Sequence, residues 1–172
     1  INSMDIFDKM TVDFIKGKKH ILDNSKLCVL DTNMSADVME YLLNEYKYND
    51  IFLDTVSVTK AKKVKYLAGN IHTIKTNRIE IEAITGLEAK DDNGLKENGE
   101  YLLSKGVKQI FITLGKNGVF YCNRDTMKII RANNIKPVNT TGAGDAFISA
   151  LIYCYLSNTD IDESAKFATA AS

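Results

Sequence analysis

The sequence predicts an α/β fold: a mostly parallel sheet covered by helices on both faces, with one antiparallel hairpin added. Three observations lead there. Short, continuous apolar runs alternate with amphipathic segments, the pattern of strands buried on both faces between crossover helices. Two runs in the C-terminal half lie too close together for a helix between them and read as a hairpin. Glycine, asparagine and aspartate separate the runs where turns are needed.

Residues 27–30 form a buried strand that runs into Asp31, Thr32 and Asn33. Ser35 is placed to cap a helix with Val38, Tyr41 and Leu42 on one face. Residues 51–53 give a second strand, ending at Asp54 and Thr55. Thr59 is the expected cap of a helix that turns Ala61, Val64 and Ala68 inward and Lys60, Lys62, Lys63 and Lys65 to solvent. Residues 71–74 give a third strand, with His72 a packed or hydrogen-bonded structural residue. A short helix from Arg78 stops at Gly86. Asp91-Asp92-Asn93-Gly94 reads as a turn, followed by a helix over 95–105 with Gly106 as its C-terminal cap. Residues 109–114 are a strong strand. Gly115-Lys116-Asn117-Gly118 turns it into 119–121, and Asn123-Arg124-Asp125 turns again into 127–130. The last helices run over 143–156 and from Ile161 onward.

The 172 residues suffice for one compact domain with a core. Its 22 basic and 22 acidic residues cancel, which argues against a nucleic-acid or anionic-membrane surface. The longest apolar stretch, 146–156, is too short to span a bilayer, and no signal peptide is visible. Cys28, Cys122 and Cys154 are odd in number and widely spaced, which fits reduced thiols of a cytoplasmic protein better than disulfides or a zinc site. With His20 and His72 the only histidines, a Ser-His-Asp or Cys-His centre has little to draw on. Residue 1 is Ile and the last residues, 168–172, read as mid-helix, so a fragment of a longer protein is expected.

The most informative stretch is Asn139-Thr140-Thr141-Gly142-Ala143-Gly144-Asp145-Ala146-Phe147. A glycine-containing turn enters an apolar helix, with one carboxylate at the junction. Small residues let backbone approach a ligand, and a helix N-terminus offers free N–H groups to an anion such as phosphate. Asp145 is misplaced for mere phosphate storage but suits a base that takes a proton from an attacking hydroxyl. By itself the stretch reads equally as a capped turn. Asn77-x-x-Glu80 opens a helix and reads as a capping box, or as a carboxylate that holds magnesium through water. Thr113-Leu114-Gly115-x-x-Gly118 reads as a hairpin turn, or as a small-residue path along nucleotide phosphates with Thr113 offering its hydroxyl. Lys116 adds charge there or is a solvated turn residue. In parallel sheets ligands gather at the carboxyl ends of strands, and the polar clusters Asp31–Asn33, Asp54–Ser57, Lys75–Asn77 and Thr113–Gly118 sit at those ends.

Taken together these motifs resemble the PfkB family of ribokinase-like carbohydrate kinases. Residues 138–147 match its late D-T-x-G-A-G-D signature nearly throughout, Asn77-x-x-Glu80 matches N-x-x-E, and residues 112–118 match T-x-G-x-x-G, in the family's order. A narrower resemblance, to bacterial pseudouridine kinases, runs through Met4–Phe7, Leu30–Asn33, Leu53–Ser57 with Lys60-Ala61, and Ile71–Lys75. The resemblance implies a three-layer ribokinase-like α/β/α fold over residues 1–172. That single domain would be a fragment of a larger kinase domain, without its N-terminal sugar-binding and lid half or its C-terminal end. It implies ATP and Mg²⁺ as cofactors and a small sugar or nucleoside as acceptor, most closely the ribosyl 5′-hydroxyl of pseudouridine. Nucleic acid and membrane are not expected as partners, and a homodimer of the full-length protein is. Asp145 would be the base, and Gly142, Ala143 and Gly144 the anion hole. Asn77 and Glu80 would organise magnesium and phosphates, and Thr113, Gly115 and Gly118 would line the ATP site. Asn139 stands where the family has Asp, which puts activation by a monovalent cation in doubt.

Overall fold

The computed structural model describes residues 5–47, 49–131 and 141–172. Among them, six strands form one sheet in the order β1 (Leu27–Asp31), β2 (Asp50–Asp54), β3 (Thr73–Asn77), β4 (Gln109–Thr113), β5 (Val119–Cys122) and β6 (Met127–Ile130). The first four pair in parallel, and the last two add an antiparallel hairpin. The helices are α1 (Val12–Lys16), α2 (Lys19–Asp23), α3 (Ala36–Glu45), α4 (Val58–Ala61), α5 (Arg78–Thr85), α6 (Asp92–Ser104), α7 (Ala143–Leu156) and α8 (Ile161–Ala171).

Strand alternation divides the core into two faces. On one, Ile51, Leu53, Ile74, Ile110, Ile112 and Phe120 pack with residues of α3, α5 and α6. On the other, Phe52, Phe111, Val119 and Tyr121 meet Phe147, Ala150 and Leu151 of α7 and Ala165 and Ala168 of α8. The result is the expected three-layer α/β/α arrangement with a mostly parallel sheet and a hairpin. At β1 the second face thins out, and Val29 is 45% exposed.

Several element boundaries differ from the sequence expectation. The third strand covers Thr73–Asn77, not 71–74. Ile71 instead closes a 3-10 turn onto Ala68, while the polar residues after Ile74 stay in the ladder because their side chains find partners across it. The helix expected to be capped by Thr59 starts two residues earlier, with Ser57 at the cap position, and tightens after Ala61 into 3-10 turns over Lys62–Tyr66 and Ala68–Asn70. Ala61 and Val64 are three residues apart, a spacing that a three-residue turn keeps on one side. Its lysines are not one solvated face. Lys63 donates to the carbonyls of Thr32 and Met34, and Lys60 donates to Asn33 Oδ1. The expected turn at Asp91–Gly94 is the start of α6, because the Asp91 carboxylate caps Gly94 N at 2.8 Å. Short helices α1 and α2 fill residues to which the sequence assigned no element.

The amino ends of β2 and β3 are closed by a polar-aromatic cluster under the C-terminal end of α7. Tyr155 donates to Asp50, and its ring meets Phe52 at 5.2 Å and His72 at 5.0 Å. His72 stacks on Phe52 at 5.6 Å and bonds Thr73 Oγ1 at 2.8 Å, as expected of a structural histidine. Burial pushes the His72 pKa down, which outweighs the attraction of Asp50 at 3.8 Å. The folded state therefore favours neutral His72, and its contribution to stability is present above the unfolded pKa of about 6.5. We expect stability to fall as pH drops through that value, measured by urea denaturation between pH 7.5 and 5.5. His72→Gln should remove this part of the pH dependence, and an unchanged dependence would exclude His72 as its source.

Candidate functional site

The carboxyl ends of the strands form a hydrogen-bonded rim. Thr32 Oγ1 donates to Thr55 O at 2.5 Å, Thr55 Oγ1 lies 3.0 Å from Thr76 Oγ1, and Thr113 Oγ1 donates to Thr76 O at 3.2 Å. Thr32, Thr55 and Thr76 are buried, so these hydroxyls must be satisfied within the protein. The rim joins β1, β2, β3 and β4 where the sequence expects ligands.

Asn77 ends β3 and caps α5. Its Oδ1 accepts from Ile79 N at 3.0 Å and Glu80 N at 2.9 Å, and Glu80 Oε2 accepts from Asn77 N at 3.2 Å. Both halves of the capping box are therefore present. Glu80 does more than cap: at 5% exposure its Oε2 also accepts from Thr55 Oγ1 at 2.5 Å. The two acceptor atoms best placed for a metal are thus engaged by protein donors. This suits a hydrated Mg²⁺ held through water better than direct coordination by both side chains. Among the described residues, no grouping of three or more His, Cys, Asp or Glu side chains suits a metal ion.

Thr113 is the register partner of Asn77, which brings the second and third motifs side by side. Gly115 and Gly118 bracket a 3-10 turn and take φ of +58° and +99°, conformations that favour glycine. Lys116 is exposed in that turn. An open cleft of about 670 Å³ flanks it, lined by Arg78, Lys90, Asn117 and Arg131 among others. Asp91, Asp92 and Asn93 complete its lining, and Asn77, Gly118 and Asp145 are not part of it.

Gly142 stands at the N-cap of α7 with φ +82°, followed by Ala143, Gly144 and Asp145 in the first turn. Gly142 has no side chain with which to cap this helix, and the first N–H groups of α7 have no intrahelical acceptor. Asp145 is exposed. Asn139 and Thr140 lie outside the described residues, and with them the position that bears on a monovalent cation. The link between α7 and the other motifs is a residue to which the sequence assigned no role. Lys75 Nζ lies 3.0 Å from both carboxylate oxygens of Asp54, and a Cβ placed on Gly144 would stand 2.8 Å from that same nitrogen. Lys75 is two residues before Asn77, so the glycine signature and the capping box meet through it. Each residue already stood out as a polar strand end, but only the register of β2 on β3 makes them partners.

The cysteines are free, and burial raises the Cys122 thiol to about 12, so it is inert as a nucleophile. No helix among the described residues is long and apolar enough to cross a membrane. The Glu80 contacts give a stability expectation. Glu80→Gln keeps an acceptor at the same place and should change stability by less than about 1 kcal/mol, whereas Glu80→Ala removes the acceptor shared by Thr55 Oγ1 and Asn77 N and should cost about 1–3 kcal/mol. Chemical denaturation of the two variants checks this, and equal losses would contradict the hydrogen-bonded arrangement.

Comparison with known proteins adds the family. The pfkB family of carbohydrate kinases matches residues 9–172. A pseudouridine kinase of Escherichia coli (strain K12) is 28% identical over 176 residues, covering all of this chain and 55% of the relative. A Clostridium perfringens crystal structure assigned as a sugar kinase superposes with a TM-score of 0.88 at 38% identity, over 94% of this chain and 51% of that one. The Arabidopsis thaliana ribokinase complexed with ribose and ATP superposes with a TM-score of 0.75 over 88% of this chain and 50% of that one; at 22% identity it speaks for the fold alone. The chain spans about half the length of the curated relatives it matches. On the match of its sequence over 9–172 and of its ribokinase-like fold, the chain belongs to the pfkB family of carbohydrate kinases.

Proposed function

We propose that this chain carries the phosphate and base side of an ATP-dependent kinase for a ribosyl 5′-hydroxyl, with pseudouridine as acceptor, in a cytoplasmic protein. One observation carries the reading: the Gly142–Asp145 turn opens α7 at the carboxyl end of the sheet, joined through Lys75 to the strand end that holds Asn77 and Thr113. A ligand bound by the first-turn N–H groups of α7 would also lie within reach of Asp145.

In the proposed step, the acceptor hydroxyl oxygen attacks the γ-phosphorus of ATP in line with the bridging oxygen. The new P–O bond forms as the bond to the ADP oxygen breaks, and the hydroxyl proton passes to Asp145. The N–H groups of Gly142, Ala143 and Gly144 stabilise charge on the transferring group, an oxyanion-hole role. Thr113 and the Gly115–Gly118 turn let the nucleotide phosphates approach backbone closely. Asn77 and Glu80 would hold hydrated Mg²⁺, which would neutralise phosphate charge. Support for pseudouridine comes from the similarity to an E. coli pseudouridine kinase over the whole of this chain. A sibling sugar or nucleoside kinase is the alternative, since a Staphylococcus aureus ribokinase is 35% identical over 82 residues. A binding protein without catalysis would gain nothing from a carboxylate at Asp145, because it repels phosphate.

Two outcomes test this in the gene product that contains the chain. Asp145→Asn keeps size and polarity but loses basicity, so kcat should fall by about 10²–10⁴-fold while ATP binding persists. Retention of more than about half the activity would remove Asp145 from the role of base. In an acceptor panel, kcat/KM should be higher for pseudouridine than for uridine, ribose or fructose, by as much as ~10⁴ where the site hydrogen-bonds the extra ring N–H. Ribose or fructose ranking first would overturn the nucleoside assignment and leave the kinase class standing.

A further inference from the structure

We infer that Lys75 supplies a fixed positive charge to the phosphoryl-transfer site, held beneath the first turn of α7 by Asp54. The inference rests on the kinase reading above and adds to it a residue outside the three motifs.

The topology decides where Lys75 points. Ile74 packs in the core shared with α5 and α6, so Lys75 emerges on the opposite face, the one covered by α7. Its register partner on β4, Phe111, lies on that face too, 6.1 Å from Phe147 of α7. Asp54 follows Phe52 at strand spacing and shares the face. The lysine and aspartate side chains are 12% and 11% exposed, and the two carboxylate oxygens are both 3.0 Å from Nζ. Gly144 completes the fit, since any side chain there would meet the ammonium at 2.8 Å.

Stability alone does not favour this placement. The N-terminus of a helix carries positive partial charge, and a lysine beside it is opposed by the macrodipole. Asp54 offsets that opposition. A polyanion at the same place reverses the sign of the interaction, because the ammonium and the α7 N–H groups then act on it together. Asp54 is itself held firmly. It accepts from Val56 N at 3.3 Å, and Val56 takes φ +50° in a tight turn closed by Ser57 N to Thr55 O at 2.5 Å. A β-branched residue in that region is strained, and such strain persists where the surroundings over-determine it. The turn fixes the carboxylate, the carboxylate fixes the ammonium, and the ammonium meets the transferring group at a set distance from Asp145. Lysine suits this as a compact point charge.

The test compares Lys75→Met, Asp54→Asn and the double variant in the gene product that contains the chain. Activity is ATP-dependent phosphorylation of the acceptor that the parent prefers, and thermal midpoints are measured alongside. Lys75→Met should lower kcat by about 10²-fold while the acceptor KM stays within about threefold, and the double variant should be equally slow. Asp54→Asn keeps the lysine side chain in place with an oxygen acceptor and should lower kcat by less than Lys75→Met does. A purely structural pair gives the opposite pattern: each single change leaves a lone buried group, and removing both restores stability and activity together. A double variant with near-parental kcat, or a Lys75→Met kcat within about threefold of the parent, overturns the proposal. An active parent that loses activity on Asp145→Asn but not on Lys75→Met sinks this inference alone. A parent without kinase activity sinks the reading beneath it, and the inference falls with it.

Discussion

The carboxyl rim of this sheet depends on one buried carboxylate. Glu80 Oε2 accepts from Thr55 Oγ1 and from Asn77 N, so a single side chain ties the end of β2, the end of β3 and the first turn of α5. A buried carboxylate without donors would be costly, and so would the hydroxyl of Thr55 without an acceptor. Each satisfies the other. The same contact fixes how far α5 stands from the rim, and with it the position of Asn77. The threonine hydroxyls on neighbouring strands extend this constraint across β1 to β4. A rim held this way can present ligand groups at fixed distances, which phosphoryl transfer requires more than it requires any single reactive side chain.

The two faces of the sheet divide the work. The face under α3, α5 and α6 carries most of the aliphatic core and the network that anchors the rim. The face under α7 and α8 is aromatic, with Phe52, Phe111 and Tyr121 on the strands and Phe147 on the helix. Those rings fix the height of α7 over the sheet, and height decides whether its first turn reaches the Lys75–Asp54 pair. At the other end of α7, Tyr155, His72 and Asp50 do the same for its last turn. The helix is therefore located at its last turn by polar contacts and along its length by aromatic packing. Family membership agrees with this frame, since the structural relatives share it across about half their length. The acceptor is a different matter: what distinguishes one acceptor from another is contact with its hydroxyls and ring edges, which the frame does not supply.

Much was legible in the sequence because it is local. The capping box spans Asn77 to Glu80, the glycine turn and Asp145 are contiguous, and the hairpin closes over a few residues. Such features depend on spacings of one to four residues, and those spacings are set by backbone geometry that any fold shares. The alternation of apolar runs with amphipathic segments likewise determined the parallel sheet and its two covered faces. What the tertiary structure alone decided involves residues that meet only through strand register. Lys75 and Asp54 are 21 positions apart, and Glu80 and Thr55 are 25 apart. The lysines after Ser57 looked like a solvated face because their pattern is helical. The chain tightens there to bury Ala61 and Val64, and the carbonyls of Thr32 and Met34 draw Lys63 inward. The third strand shifted toward its polar end for a related reason: a lysine and a threonine stay in a sheet when partners across the ladder satisfy them. Periodicity reports which residues avoid water, but the partner of a buried polar group is a property of the assembled sheet.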